Sequence, residues 1–308
     1  FGVSNRPLAR LLSGMGARLN VRDAKSLAAL GDDAASLIKM GVGFACDADP
    51  TGGFLTDDMS DTVIFRSPGI RPDAGELCEA VRRGALLTSE MEWFCASTEA
   101  KIFAITGSDG KTTTTTLAHL LTSRAPSVKR AYVGGNIGTP LLSLAPEMTS
   151  EDAAVLELSS FQLMTIKKSP YRAVITNVTP NHLNWHPDME EYTEAKCNIF
   201  MRGGCRHIVL NRDNAVTCEI ARNTDIDTVY FSSRISEYEA IVHEHKRGSL
   251  AIFEKDGYIV ASRGDREEKI IKSDKILIPG RHNVENYMAA IGLTWGLVDL
   301  DVIEKIAT

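Results

Sequence analysis

The stretch Ala104-Ile105-Thr106-Gly107-Ser108-Asp109-Gly110-Lys111-Thr112-Thr113 runs apolar residues straight into a turn bracketed by glycines and ending in Lys-Thr. Lys101 to Ile105 predicts a buried strand, and Thr112 to Leu121 predicts the helix after it. A strand, a glycine turn and a helix in that order make a phosphate cradle. Glycines let several backbone N–H groups converge on one anion, and the helix N-terminus adds partial positive charge. Lys111 reaches a terminal phosphate, and the Thr112 hydroxyl can join a Mg²⁺ shell. The loop is a variant of G-x-x-x-x-G-K-[ST], with Ile105 where the first glycine would stand and Gly107 two residues late. Unaided, the five threonines Thr112 to Thr116 also read as a plain β-branched helix start.

The rest of the chain supports an α/β reading. Its 308 residues suggest about two domains, and 44% hydrophobic with 24% charged residues suffices for a sizeable core. A net charge of −6 argues against a nucleic-acid surface. No apolar run approaches the ~18 residues of a membrane span and no charged-then-apolar leader opens the sequence, so a cytoplasmic protein with no membrane contact is expected. Six cysteines, Cys46, Cys78, Cys95, Cys197, Cys205 and Cys218, lie scattered without zinc spacing and predict free, mostly buried thiols.

Upstream of the loop, Gly2-Val3-Ser4-Asn5, a helix from Pro7 and a strand from Ala17 to Val21 ending near Asp23 resemble a dinucleotide-type βαβ unit that lacks its first strand. An ordinary helix capped by Ser4 or Asn5 is the competing reading. Asp61 to Arg66 predicts a strand that delivers Ser67-Pro68-Gly69-Ile70 to a carboxyl edge, and Glu76 to Arg83 predicts a helix before Leu86-Leu87-Thr88. A boundary in Glu92 to Ala100 gives a first domain of residues 1–98.

Downstream, Ala131-Tyr132-Val133 enters the glycine-rich turn Gly134 to Pro140, which either approaches a ligand or turns a corner. Ala153 to Leu158 predicts a buried strand carrying one acid, Glu157, which calls for a cation, a catalytic use or a salt bridge. Ala173 to Val178 delivers Asn181-His182-Leu183-Asn184-Trp185-His186 to the same edge; His182 reads as functional and His186 as a surface histidine. Lys196, on a predicted helix, reads alone as a solvated lysine. Residues 208–273 read as strands and a meander. Asn283 and Asn286 fall on one face of a helix start, suited either to an amide-like base edge or to simple capping.

Together the variant loop, Gly-Gly-Asn-Ile-Gly, Glu-Leu-Ser-Ser-Phe-Gln-Leu, Asn-His-Leu-Asn and His-Asn-Val-Glu-Asn resemble the Mur ligase family across nearly the whole chain. The run Glu157 to Leu163, with Ser67-Pro68-Gly69 in a short first domain, is similar to its D-glutamate-adding branch. The resemblance implies a Rossmann-like domain binding the UDP substrate over 1–98, a P-loop-type ATP-binding domain with a mainly parallel sheet over 99–300, and a linker stub at 301–308 leading to an absent D-glutamate-binding domain. It implies ATP-dependent joining of D-glutamate to UDP-N-acetylmuramoyl-L-alanine through an acyl phosphate, for peptidoglycan synthesis, by a monomer. The 308-residue chain is not expected to complete that reaction.

The residue roles follow from the same resemblance. Gly107, Ser108, Asp109, Gly110, Lys111, Thr112 and Thr113 would hold the ATP phosphates, and Asn283 and Asn286 the adenine. Thr112 and Glu157 would lie near one Mg²⁺ and His182 near a second; Lys196, carbamylated by CO₂, would serve as an anionic metal ligand. Val3, Ser4, Asp23, Ser67 and Gly69 match positions around the uridine diphosphate, and Asn136, Ser159 and Gln162 the muramoyl-alanine arm. Asn181 and Asn184 stand where many relatives carry acids, which removes a charged partner for the second metal. The alternatives are another Mur ligase, folylpolyglutamate synthase, or a nucleotide-binding module without catalysis.

Overall fold

A computed structural model describes every residue except Val3, Pro279 and Thr308. The proposed role of Val3 therefore lies outside the described residues. The chain divides into two compact units, Phe1–Ser97 with Pro140–Glu147, and Thr98–Thr139 with Met148–Thr308.

The first unit is built from two βαβ units. Helix α1 (Asn5–Gly14) precedes β1 (Asn20–Arg22), α2 (Leu27–Lys39) and β2 (Gly43–Ala45); β3 (Val63–Phe65), α3 (Leu77–Arg82) and β4 (Leu86–Thr88) follow, then α4 (Glu90–Ser97). β1 pairs β2 and β3 pairs β4, both in parallel, as two separate two-stranded sheets. The capping reading of the start fails, because Ser4 is itself helical and makes no side-chain cap. Asn5 instead donates to Ser67 Oγ at 3.1 Å, tying the helix start to the Ser-Pro-Gly turn. The return segment Leu142–Glu147 forms a 3₁₀ turn packed on α4.

The second unit carries a nine-stranded sheet. In chain order its elements are β5 (Lys101–Thr106), α5 (Lys111–Thr122), β6 (Ala131–Gly135), β7 (Ala153–Glu157), α6 (Ser160–Leu163), β8 (Arg172–Ile175) and α7 (Met189–Met201). After these come β9 (His207–Asn211), α8 (Ala215–Asn223), β10 (Asp227–Ser232), α9 (Tyr238–Ile241), β11 (Ala251–Lys255), β12 (Tyr258–Arg263), β13 (Arg266–Lys272), α10 (Arg281–Thr294) and α11 (Leu300–Ala307). Strand order is β13-β12-β11-β10-β9-β8-β5-β7-β6, parallel from β6 to β11 and antiparallel through β12 and β13.

Central parallel strands are buried on both faces, which is why β5, β7 and β8 read as unbroken apolar runs. Phe103 and Ile105 of β5 pack with Leu117 and Leu121 of α5 and with the small residues Ala289 and Ala290 of α10. α10 lies close on the sheet at Gly292, where an added Cβ would meet Val209 Cγ1 at 2.9 Å. Only β11 to β13 form the meander expected for residues 208–273. Residues 207–232 instead continue the parallel sheet, because Asn214 caps α8 by accepting from Thr217 N–H at 3.1 Å and opens a crossover helix.

This topology positions the site. β5 precedes both its neighbours in the chain, with β7 on one side and β8 on the other. Chain direction diverges there, so the loops leaving β5, β7 and β8 gather at one carboxyl edge, the usual place for ligands in such sheets. Register keeps them level: Ile105 pairs Glu157 and Val174, and Glu157 pairs Gly135.

Candidate active site

The loop between β5 and α5 is shaped by two glycines in close contact with neighbouring side chains. A Cβ on Gly107 would stand 1.9 Å from Thr176 Oγ1, and one on Gly110, at φ +77°, would stand 2.2 Å from Asn286 Oδ1. Only glycine fits either place. Lys111 folds back to donate to Ser108 O at 2.9 Å. Lys111, Thr112 and Thr113 open α5, where the first N–H groups of a helix lack partners within it.

Glu157, at the end of β7, is 1% exposed. Its carboxylate accepts from Thr112 Oγ1 at 2.8 Å and from Asn136 Nδ2 at 2.9 Å, and its carbonyl accepts from Asn136 N–H at 2.8 Å. No ion pair joins it to a described residue, so the salt-bridge alternative is not realised. Two neutral donors leave a buried negative charge without a counter-ion, and Thr112 supplies an oxygen beside it. That donor set suits a hard cation such as Mg²⁺, which takes one or two carboxylates together with phosphate oxygens.

Lys196 is also 1% exposed, which overturns its reading as a solvated lysine. α7 carries it inward, where Nζ donates to Gly107 O at 2.8 Å and lies 4.3 Å from the Tyr192 ring centre. Burial first, and then the Lys111 charge, push its amine down to about 7. A lysine so placed is in large part a neutral amine near neutral pH, the form able to add CO₂. Tyr192 OH meets Ser108 Oγ at 3.1 Å, so the same helix also touches the loop.

His182 and His186 differ sharply in burial, and only His186 departs from its expected place. His182 is exposed at φ +56° with its ring 6.4 Å from Tyr192, and burial together with Lys196 and Lys111 lowers its pKa. His186, expected on the surface, is 1% exposed. Its Nδ1 pairs Glu191 Oε1 at 2.8 Å and its Nε2 pairs Ser160 Oγ at 2.9 Å. A compact turn, with His186 N–H donating to His182 O at 2.9 Å, sends the second ring inward. Asn181 Oδ1 accepts from His182 N–H at 2.8 Å, while the Asn184 side chain has no hydrogen bond among the described residues.

The other candidate residues divide between the two units. Ser159 and Gln162 close a capping box, with Gln162 Oε1 accepting from Ser159 N and Oγ at 3.0 Å each. Asn283 and Asn286 are buried; Asn286 Nδ2 donates to Asn283 Oδ1 at 3.2 Å and Thr114 Oγ1 donates to Asn286 Oδ1 at 3.2 Å. Neither caps α10, whose N-cap is Gly280, so the capping alternative fails. Beside Thr112 and Thr113 a cavity of about 330 Å³ is lined by Leu117, Leu120, Leu277 and Tyr287. In the first unit, Ser4, Ser67 and Gly69 lie around the α1 start and the turn after β3, where Ile70 N–H donates to Ser67 O at 2.9 Å. Asp23 follows β1 and accepts from Lys25 N–H at 2.9 Å.

Sequence reasoning missed Thr176, Asn177 and the group of Ser160, His186 and Glu191. Their signal was faint, since each works through neighbours brought close only by the sheet order. Among the described residues no group of three or more His, Cys, Asp or Glu gathers as a metal site, and all six cysteines are free, three of them buried.

Comparison with known proteins gives a consistent result. The Mur ligase middle domain matches residues 105–294. The chain is similar to the UDP-N-acetylmuramoylalanine--D-glutamate ligase of Ruminiclostridium cellulolyticum, 42% identical over all of this chain, and to that of Acetivibrio thermocellus, 41% identical. It spans 63% of the length of these curated relatives. Among solved structures it shares the fold of the UDP-N-acetylmuramate:L-alanyl-gamma-D-glutamyl-meso-diaminopimelate ligase from Neisseria meningitides, with TM-score 0.59 and 15% identity over 100% of this chain and 94% of the other. It likewise shares the fold of UDP-N-acetylmuramate-alanine ligase from Thermotoga maritima, with TM-score 0.52 and 20% identity over 99% of this chain and 66% of the other. A loop, an acid and a lysine converging on one sheet edge, within a matched domain spanning more than half of the sequence, mean that this chain belongs to the Mur ligase family.

Proposed function

We propose that this chain is the UDP-substrate-binding and ATP-binding part of a cytoplasmic, monomeric ligase that adds D-glutamate to UDP-N-acetylmuramoyl-L-alanine in peptidoglycan precursor synthesis. Residues 1–98 are assigned to the UDP substrate and 99–300 to ATP. The observation that carries the reading is a buried lysine, Lys196, whose amine is driven towards neutrality while it rests on the phosphate loop. A binding-only module has no use for so costly a group. Similarity to D-glutamate-adding relatives at 38–42% identity supports the choice of amino acid.

In this reading Gly107 to Thr113 cradle the triphosphate, with Lys111 turning from Ser108 O to the γ-phosphate. Asn283 and Asn286 take the adenine edge. Ser4, Asp23, Ser67 and Gly69 line the uridine diphosphate site, and Asn136, Ser159 and Gln162 the muramoyl-alanine arm. Thr112 and Glu157 would hold one Mg²⁺, and His182 with a carbamate on Lys196 a second; bound there, the ions would offset charge as an anionic carboxylate nears an anionic phosphate. A carboxylate is a poor electrophile, so phosphoryl transfer from ATP first gives the alanyl acyl phosphate. The D-glutamate amine then attacks the acyl carbon and phosphate leaves, forming the amide.

The test is phosphate release in the longest natural polypeptide containing this sequence, supplied with ATP, Mg²⁺, UDP-N-acetylmuramoyl-L-alanine and one amino acid at a time. Release with D-glutamate and not with L-alanine or a diamino acid is expected. Release with another amino acid only would move the chain to another branch, and ATP binding without release under any pairing would make it a binding module.

A further inference from the structure

The backbone N–H groups of Ser108 and Asp109 belong to the turn that the phosphate-cradle reading assigns to ATP, yet both already point at one side chain. Asn177 Oδ1 accepts from Asp109 N–H at 2.9 Å and from Ser108 N–H at 3.2 Å. Ser108 N–H also donates to the Asn177 carbonyl at 2.9 Å, and Asn177 Nδ2 donates to Asp109 O at 3.3 Å. Thr176 completes the grip, its hydroxyl donating to Asp109 O at 2.6 Å. The end of β8 therefore satisfies both N–H groups and the Asp109 carbonyl. Gly107 permits it, since a Cβ there would strike Thr176.

We infer that Asn177 is a positioning residue for the nucleotide, a built-in carboxamide that holds the first half of the loop closed so that the N–H groups of Gly110 to Thr113 face the triphosphate. Parallel N–H dipoles in a loop repel one another when nothing accepts from them, and a fixed acceptor removes that cost before ligand arrives. Asn177 also lies on the segment that runs from β8 to His182. This inference rests on the ATP-binding reading above.

The experiment titrates the 308-residue chain and its Asn177→Ala variant with ATP and with AMP in Mg²⁺, and follows backbone amide shifts of the wild type by NMR. Leaving the Asp109 N–H without its acceptor, and the Ser108 N–H with only the backbone carbonyl at position 177, is expected to weaken ATP about tenfold, to leave AMP unchanged, and to move the melting temperature by less than about 3 °C. In the wild type, ATP is expected to shift the amides of Gly110 to Thr113 far more than those of Ser108 and Asp109. Wild-type ATP affinity in the variant, or an equal fall for ATP and AMP alongside a collapse in melting temperature, overturns the inference. So does an ATP-induced shift at Ser108 and Asp109 as large as that at Gly110 to Thr113, which reads out even where the variant fails to fold. A wild type that binds no ATP overturns the ligase reading itself, and is told apart by the control titration.

Discussion

The Lys196 amine sits 2.8 Å from the carbonyl oxygen of Gly107, so a side chain from the middle of α7 rests on the first residue of the glycine loop after β5. With burial and the Lys111 charge lowering its pKa to about 7, much of this amine is unprotonated at pH 7.5–8. Incubation with ¹³C-bicarbonate is expected to give a carbamate resonance that disappears in Lys196→Arg. In the longest natural polypeptide containing this sequence, Lys196→Ala is expected to lower the proposed ligase turnover by about 100-fold or more, with partial recovery on adding a small carboxylic acid. Unchanged turnover would remove Lys196 from the mechanism.

Glu157 offers a second, separate handle. Its burial and its two neutral donors mean that Glu157→Gln removes an uncompensated charge while keeping a similar shape. The variant is expected to fold at least as stably as the wild type and to bind ATP equally with and without Mg²⁺. Calorimetric titrations with the metal present or chelated check this; a Mg²⁺ dependence that survives in the variant would mean that the cation is held elsewhere.

Short-range pattern carried the phosphate loop, the strand ending in Glu157 and the helix start at Asn283, because each is written in consecutive residues. Lys196 was illegible from its own surroundings: the helix Met189–Met201 gives it no apolar run to flag burial, and only family likeness singled it out. His186 failed for a related reason. Its burial depends on a turn that packs it against Phe161 and Tyr192 from two other elements, at ring distances of 5.7 and 5.2 Å. α8 was missed because Val216, Thr217 and Ile220 give its short sequence strand-like composition. In each case tertiary packing decided what local sequence left undetermined.

Glu90 predicts a pH dependence in the first unit. It is 4% exposed in α4, and burial outweighs the N–H it receives from Leu142, pushing its carboxyl up to about 7. The folded chain thus holds a proton that the unfolded chain releases near the model-peptide value of 4.5. That contribution to stability is complete below the unfolded pKa and is lost as pH rises through the folded one. Between pH 5 and 8, Glu90→Gln is expected to lose roughly 2 kcal/mol less stability than the wild type. Urea unfolding at both pH values measures the difference, and parallel curves would show that Glu90 is not the group responsible.

The His186 ring joins two elements that the proposed chemistry uses separately: Ser160 opens α6, beside the capping box of Ser159 and Gln162, and Glu191 lies in the first turn of α7, the helix that carries Lys196. His186→Ala leaves a buried hydroxyl and a carboxylate without their shared partner, a loss of about 2–4 kcal/mol. Ser160→Ala alone removes one hydrogen bond and should cost about 1 kcal/mol. If the ring is what couples the helices, the double variant will be less destabilised than the sum of the two singles, by about 1 kcal/mol. Strict additivity in denaturant melts would mean that His186 stabilises through ring packing on Phe161 and Trp185 rather than through the hydroxyl. The two helices would then be held together by apolar contact, and Ser160 would have no part in setting where Lys196 points.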